Sequence, residues 1–429
     1  MEFFAFLGPD RESQIRFMLK AASVGDLNLF KRLANDLNEE GDLAKTVASS
    51  KCSDGRTALH FAALGGRTHI LKYLIDELKL DIDVKDDEGS TPLHCAIQEK
   101  HFPTVIYLLE MGANVNAMNE EGVTPLHCAA LEGSKKLLEL LISKGAVVDS
   151  NPDYGTPLQR AAAEGKKVSI KVLLNNHANP NIVSSHTFCP LVLSIINGSI
   201  ECVKLLLKAG ADPNSNSKEG TPLDVAVSKE DIPVIKCLLS AGADPNVTNE
   251  GGLTAIEVAA ILDNRDAVMT LFPFASPVAS FPDWTVDGIM AHIHSKEAEK
   301  VREQKLQESF LQLKSKGKEA VKKGDFHGAI NYYTKAITCK PGDATMYSNR
   351  SFCFAHLNEG HKALVDAMRC AMLRPDWPKA FYRVGMAFML LKDFDNAADA
   401  FLNGWKLDPK NKDLESALRE AVQAQLRTN

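Results

Sequence analysis

The sequence predicts an all-α protein built from two successive arrays of helical repeats. The motif Thr-Pro-Leu-His-Cys-Ala occupies residues 91–96 and recurs at residues 124–129. Pro341, Pro375 and Pro409 mark a second series, whose period is 34 residues. Periods of this length are typical of stacked helical units, in which each unit packs mainly on its neighbours. A hydrophobic content of 45% and a charged content of 24% favour a globular protein.

The first series extends over most of the N-terminal half. Weaker copies of the motif follow one another at steps of 32 to 34 residues, and they begin at Thr57, Thr156, Cys189, Thr221 and Thr254. Thr and Pro suit the first turn of a helix, and a second apolar helix follows each copy. Ala-Gly-Ala-Asp-Pro-Asn then appears at residues 209–214 and 241–246. This pattern resembles the ankyrin repeat, and we expect about eight units over residues 1–272.

Three histidines recur once per repeat, at His60, His94 and His127. A zinc site is the alternative interpretation, but zinc needs ligands that converge on one point. The resemblance implies instead that each histidine ties the turn of one repeat to the next by hydrogen bonds. We therefore expect no metal and no cofactor.

The second series repeats in one frame at three sets of positions. Small residues recur at Gly317, Ser351 and Gly385, alanines at Ala329, Ala363 and Ala397, and mostly aromatic residues at Tyr333, Ala367 and Phe401. Small residues allow two antiparallel helices to approach closely, and an aromatic ring then fills the space between pairs. The pattern resembles three tetratricopeptide repeats (TPRs), in a domain of residues 306–429 that ends in an amphipathic capping helix. The whole arrangement resembles plant-type proteins that carry an ankyrin array ahead of a TPR domain.

Residues 273–305 are predicted to link the two arrays. A Pro-rich break at residues 273–282 precedes an apolar stripe with helical spacing, formed by Val286, Ile289, Met290 and Ile293. We expect Trp284, Ile289, Met290 and Ile293 to be buried against the end of one array, and the charged spacer 295–305 to be mostly exposed. A membrane-surface helix is the alternative, but the charges here are mixed rather than basic. His292 and His294 lie two apart, which argues against a metal pair on a helix.

Several classes of function are disfavoured by what the sequence lacks. No phosphate-binding loop, metalloprotease motif or nucleophile elbow is present, so we predict no enzyme activity. No apolar run approaches the roughly 20 residues of a membrane span. The apolar start at residues 1–7 is short and lacks a basic region, and the nine cysteines include no Cys-x-x-Cys. These features favour reduced thiols and a cytoplasmic protein, which could also be nuclear.

Charge is distributed unevenly over a net value of −6. From Lys305 onward the chain carries 20 Lys/Arg and 14 Asp/Glu, so the preceding part is acidic. Two surfaces with different partners are therefore expected. Nucleic-acid binding is an unlikely use of the basic part, because Arg-rich runs and aromatic stacking motifs are missing.

A candidate binding site lies on the predicted first helices of the three TPR units. Lys314, Asn349, Lys379 and Arg383 resemble the carboxylate clamp of TPR co-chaperones, which holds the C-terminal Glu-Glu-Val-Asp of cytosolic heat-shock chaperones. Two neighbouring carboxylates require converging cations and an amide donor. The clamp normally has Asn four residues after its first Lys, whereas this chain has Lys318. The alternative is an ordinary solvated basic face.

We therefore predict a co-chaperone-like adaptor whose TPR groove binds chaperone tails while the ankyrin array binds an unidentified protein client. A scaffold with no chaperone link is the alternative. The predicted ankyrin turns are acidic, which suits either a basic partner or ordinary turn chemistry, at residues 86–88, 120–121, 218–219 and 249–250. The atypical turn at residues 185–189 could present Phe188 to a partner, or could be worn repeat sequence.

Overall fold

The computed structural model describes residues 10–39, 41–150, 155–183, 188–215, 220–249, 251–279 and 281–428. Within these residues all regular secondary structure longer than a single bridge is helical, which confirms the all-α fold class. One isolated β-bridge joins Thr248 and Thr254. None of the described helices combines the length and apolar character that crossing a membrane requires. The apolar start 1–7 and the turn residues 185–187, 218–219 and 250 lie outside the described residues.

The chain divides into two compact units, Met1–Asp244 and Pro245–Asn429. In the first unit, seven helix pairs and one additional helix, α3, follow one another, and α5 continues into a π-helical turn, Tyr73–Glu77. The first helices of the pairs pack on each other in chain order. The helices are α1 (Arg11–Val24), α2 (Leu27–Asp36), α3 (Leu43–Ser49), α4 (Ala58–Leu64), α5 (Thr68–Lys72), α6 (Pro92–Gln98), α7 (Phe102–Glu110), α8 (Pro125–Glu132), α9 (Lys135–Ser143), α10 (Pro157–Ala163), α11 (Lys167–Asn175), α12 (Pro190–Asn197), α13 (Ile200–Lys208), α14 (Pro222–Ser228) and α15 (Ile232–Ser240).

The recurring histidines join successive repeats, as expected. The Nδ1 atom of His94 accepts a hydrogen bond from the backbone N–H of Thr91 at 3.2 Å, so its Nε2–H donates to the carbonyl of Val123 at 3.1 Å. His60 and His127 make the same pair of bonds. All three rings are buried, and desolvation lowers the pKa of His94 and of His127 to about 4. Neutral imidazole therefore serves here as a bridge between repeats.

The second unit begins with an eighth helix pair and then three TPR-like pairs. A short helix, α18, packs on the eighth pair, and a long helix, α19, leads into the TPR pairs. The helices are α16 (Ala255–Ile261), α17 (Arg265–Leu271), α18 (Val286–His292), α19 (Lys296–Lys322), α20 (Phe326–Cys339), α21 (Ala344–His356), α22 (Gly360–Leu373), α23 (Pro378–Leu390), α24 (Phe394–Leu407) and α25 (Lys412–Thr428).

The apolar stripe of the linker is partly buried. Ile289 and Ile293 are almost fully buried, which confirms that part of the prediction, whereas Trp284 and Met290 are only half-buried. The indole of Trp284 stacks on the ring of Phe272, with centroids 5.9 Å apart. The linker therefore covers the end of the eighth helix pair with part of its stripe.

The charged spacer is not a separate element. Residues 296–305 are the first turns of α19, which continues without a break into the first TPR pair because no Pro or Gly interrupts it before Gly317. Most of this stretch is exposed, as expected, although Ala298 is buried. The Nζ atom of Lys305 lies 3.1 Å from Oε1 of Glu257, whose side chain is 4% exposed. An ion pair thus joins the first third of the long helix to the first turn of α16.

Helix pairs in the TPR region meet through matched small and large residues. A Cβ added to Gly317 would lie 2.5 Å from Cε1 of Tyr333, and one added to Gly385 would lie 2.6 Å from Cδ1 of Phe401. In the middle pair, Ser351 takes the position of the glycine and Ala367 takes the position of the aromatic residue. The serine hydroxyl donates to the carbonyl of Ala363 at 2.8 Å. Where the second helix of a pair carries an aromatic ring, the first helix therefore has glycine. Where the second helix carries alanine, the first has the larger serine.

Candidate functional site

Arg383 is the most unusual of the predicted site residues. It lies on α23, and its guanidinium is 4.7 Å from the ring centroid of Phe352 on α21. Its Nε atom is buried without a hydrogen-bond acceptor among the described residues. Desolvation by burial lowers the pKa of this guanidinium from its ordinary value. A partly desolvated guanidinium whose Nε–H has no acceptor is suited to an anionic ligand.

Lys379 lies one turn before Arg383 on the same helix. Desolvation, and then the neighbouring charge of Arg383, lower the pKa of its ammonium group. Two like charges at this spacing repel each other. A bound carboxylate would relieve that repulsion, so the pair favours an acidic ligand.

Asn349 lies on α21, three residues before Phe352 and so on a neighbouring part of the same helix surface. Its side chain is half-buried and makes no hydrogen bond to another described residue. The cation–π contact between Arg383 and Phe352 bridges α23 and α21, so the structure brings Arg383 and Lys379 to the helix that carries Asn349. An amide donor therefore accompanies the two cations.

Lys314 and Lys318 lie on α19, one turn apart. Lys314 is half-buried, with its Nζ 5.5 Å from the ring centroid of Phe310, while Lys318 is exposed. Among the described residues, no hydrogen bond, ion pair or ring contact joins either lysine to the α21 and α23 groups. Like Lys379 and Arg383, neither lysine forms a salt bridge with a described carboxylate. The predicted site thus contains four cations that the described protein does not neutralise.

Sequence reasoning missed the ion pair behind the site. Arg350 donates to both carboxylate oxygens of Asp366, each at 2.7 Å, and to the hydroxyl of Thr334 at 3.0 Å. These bonds join α21 to α22 and α20 at the residue after Asn349. The only available signal was Asp366 itself, the one carboxylate of α22, at a position flanked by the small buried residues Ala363 and Ala367. Arg350 and Asp366 therefore hold the helix that presents Asn349.

The ankyrin-like turns use some of their acidic residues internally. The Asp86 side chain is 1% exposed; it accepts from Arg56 at 3.2 Å and from the backbone N–H of Ser90 at 2.8 Å. Asp87 remains exposed. Phe188 is half-buried, and its carbonyl accepts a hydrogen bond within the array. No group of three possible metal ligands occurs among the described residues.

Comparison with protein families identifies both arrays. The family model described as "Ankyrin repeats (3 copies)" matches residues 17–119, 112–184, 158–249 and 191–280. The chain belongs to the ankyrin-repeat family. A second model, "Serine/threonine-protein kinase BSK1-like, TPR repeats", matches residues 289–384 of this ankyrin-repeat protein. Both repeat families are typically non-catalytic interaction modules, and the two matches support an adaptor role.

Individual relatives resemble a smaller part of the chain. The "Hsp70-Hsp90 organising protein" of Plasmodium falciparum is 39% identical over 111 residues, which are 26% of this chain and 44% of the relative. "Tetratricopeptide repeat protein 28" of Mus musculus is 38% identical over 113 residues, 26% of this chain and 5% of the relative. The chain thus spans less than half the length of these relatives. The crystal structure of the human ASB11 ankyrin repeat domain covers 52% of this chain and 100% of its own, with 29% identity and a TM-score of 0.47.

Proposed function

We propose that this ankyrin-repeat protein is a non-enzymatic, co-chaperone-like adaptor of the cytoplasm, which could also be nuclear. Its TPR domain, residues 306–429, binds the C-terminal Glu-Glu-Val-Asp of cytosolic heat-shock chaperones. Its ankyrin array, residues 1–272, binds a protein client. The observation that carries the proposal is Arg383, a desolvated cation with an unused donor. The name of the Plasmodium relative supports the choice of chaperone tails.

A peptide that ends in Glu-Glu-Val-Asp carries two neighbouring carboxylates, one from the side chain and one from the terminus. Lys379 and Arg383 supply two cations on one face of α23, and Asn349 on α21 supplies a neutral donor. In the proposed complex, Lys314 and Lys318 on α19 complete the site. Charge-assisted bonds of this kind fix the orientation of the peptide as well as its affinity.

Lys318 makes the site more basic than the clamp that it resembles. A lysine donates to a carboxylate as a flexible point charge, whereas asparagine is neutral and more restricted in direction. Lys318→Asn should retain or improve binding if this position faces the carboxylates. Stronger salt dependence in the native protein than in the variant would be the expected signature of the extra charge.

The test is a binding titration of the full chain with a fluorescent peptide ending in Glu-Glu-Val-Asp. Arg383→Ala should weaken binding more than about tenfold, because it leaves a ligand carboxylate without its buried partner. Amidation of the peptide terminus should have a similar effect. Arg427→Ala is the matched control, because Arg427 is exposed on α25 and has no salt-bridge partner among the described residues. Its affinity should be unchanged.

A scaffold without a chaperone link remains the second candidate, since Lys318 departs from the clamp and the mouse relative is named only for its repeats. In that case the groove takes an internal peptide segment. Equal affinity for the free-acid and amidated peptides, or an unaffected Arg383→Ala variant, would replace the co-chaperone proposal with this one.

A further inference from the structure

The outward face of α22 carries an apolar stripe that no described residue covers. Val365, Met368 and Met372 are 68%, 51% and 72% exposed, although the opposite face of the helix is buried. Their spacings of three and four residues place them in one row. The row is about 10 Å long at the rise of an α-helix, which equals two turns. Contiguous exposed apolar side chains of this kind are typical of interaction surfaces.

The charges around this stripe are positive and largely uncompensated. The only acidic residue of α22, Asp366, points inward to Arg350. Arg369, beside the stripe, and Arg374, just after the helix, are exposed and have no salt-bridge partner in the described ranges. The guanidinium of Arg374 lies 4.6 Å from the ring centroid of Trp377, which leaves its charge without a carboxylate. An acidic partner therefore complements this face.

We propose that the outward face of α22 is a docking site for an amphipathic helix of a partner protein, one whose apolar stripe is flanked by Asp and Glu. Unbranched methionine side chains adapt to the apolar face of such a helix, whose anchors recur at spacings of three and four. An anionic membrane fits less well, because membrane-surface helices use Trp, Phe and Leu with a Lys-rich polar face. This face has none of the three apolar types.

The proposed docking site is separate from the carboxylate site. It lies on the second helix of the middle TPR pair, whereas Asn349 and Arg383 lie on first helices. Binding at α22 therefore leaves the groove open for a second ligand, and the proposal holds whether or not the groove binds chaperone tails.

The experiment uses the full chain with 13C-labelled methionine methyl groups. The probe is a designed helical peptide of about 18 residues with Leu at helical spacing and Glu on both flanks. The control peptide has the same Leu stripe and Lys in place of Glu. The Glu peptide should shift the methyl signals of Met368 and Met372 and leave that of Met269 unchanged. The Lys peptide should bind at least about tenfold more weakly.

Two variants locate the contact. Met368→Glu should weaken binding of the Glu peptide at least about tenfold. Met269→Glu is the matched control, because Met269 is similarly exposed, at 48%, but lies on α17. This substitution should change the affinity for the Glu peptide less than about twofold. An unchanged methyl signal from the buried Met346 shows that the TPR core is still folded. Arg369→Glu should also weaken binding, by a factor that shrinks as salt is added.

Four results would overturn the proposal. The first is the absence of shifts at Met368 and Met372 at millimolar Glu peptide. The second is equal binding of the Glu and Lys peptides, and the next is a loss of affinity in Met269→Glu equal to that in Met368→Glu. The last is that the full chain binds no peptide but sediments with phosphatidylserine vesicles, and that Met368→Glu abolishes this sedimentation. That result would assign the face to a membrane.

Discussion

The pairing of small and large residues in the TPR region leads to a test by double mutation. Gly385→Ala would place a methyl group 2.6 Å from Cδ1 and 2.7 Å from Cζ of Phe401. The ring is fully buried and packs beside Tyr382, with centroids 5.8 Å apart, so it has little space into which to move. Overpacking of this kind typically costs about 1–3 kcal/mol. Alanine in place of a helical glycine contributes about 1 kcal/mol in the opposite direction.

The overpacking should exceed the gain in helix propensity, because a rigid ring rather than a flexible chain end meets the new methyl group. We expect Gly385→Ala to lower the free energy of unfolding of this helix pair by up to about 2 kcal/mol. Phe401→Ala alone should cost about 3–5 kcal/mol through the cavity that it leaves. Gly385→Ser combined with Phe401→Ala reproduces the Ser351 and Ala367 pair of the middle repeat. The loss of stability in this double variant should therefore be about 1–3 kcal/mol smaller than the summed losses of Gly385→Ser alone and Phe401→Ala alone.

Hydrogen exchange of the full chain, followed by mass spectrometry on peptides from α23 and α24, measures this local stability. Gly342→Ala is the control, because a Cβ there would meet nothing within 4 Å. If Gly385→Ala stabilises the pair, helix propensity dominates and the packing argument fails. Strict additivity of Gly385→Ser and Phe401→Ala would also contradict it.

Three further predictions concern the joints between helices. Asp366→Ala should destabilise the middle TPR pair by about 3 kcal/mol in urea titrations, because it removes the carboxylate from Arg350, whose side chain is only 18% exposed; an equally stable variant would exclude that role. Lys305→Ala should raise hydrogen exchange in α16 by removing the cationic partner of the buried Glu257, with a loss of about 1–3 kcal/mol; unchanged exchange would mean that the contact is not stabilising. His94, whose pKa falls to about 4 on folding, contributes stability that is complete above its unfolded value of 6.5 and is lost as pH falls toward 4. Melting temperature should therefore drop between pH 7 and pH 5, and His94→Gln should reduce that drop because glutamine makes the same bonds without titrating; an identical drop in the variant would refute this.

Much of the fold could be read from the sequence because repeated residues have repeated physical roles. The Thr-Pro start and the histidine three residues later predict both an inner helix and a bond to the next repeat, as His94 shows. The period of 34 residues likewise predicted three TPR pairs. The continuity of α19 was not predicted, because a change from exposed to packed surface along one helix leaves no break in local helix propensity.

The candidate site was likewise predictable from the sequence only in part. Local phasing placed Lys379 and Arg383 on one face of a helix, and the structure shows them adjacent. Phe352 as the platform beneath Arg383 could not be inferred, because a cation–π contact joins two helices whose relative orientation depends on packing. Whether Lys314 and Lys318 meet the same ligand stays a prediction.

The sequence by itself determined the helical class, the two repeat periods and the positions of the basic residues, because these depend on spacing along the chain. Only the tertiary structure decided that Arg350 is used by Asp366 while Arg383 keeps a free donor. Both arginines lie on first helices of TPR pairs, and nothing local distinguishes them. The difference arises because α22 supplies a carboxylate behind Arg350, whereas the ring of Phe352 and a partly dry environment surround Arg383. Partners distant along the chain set that contrast, so it appears only when the helices are packed.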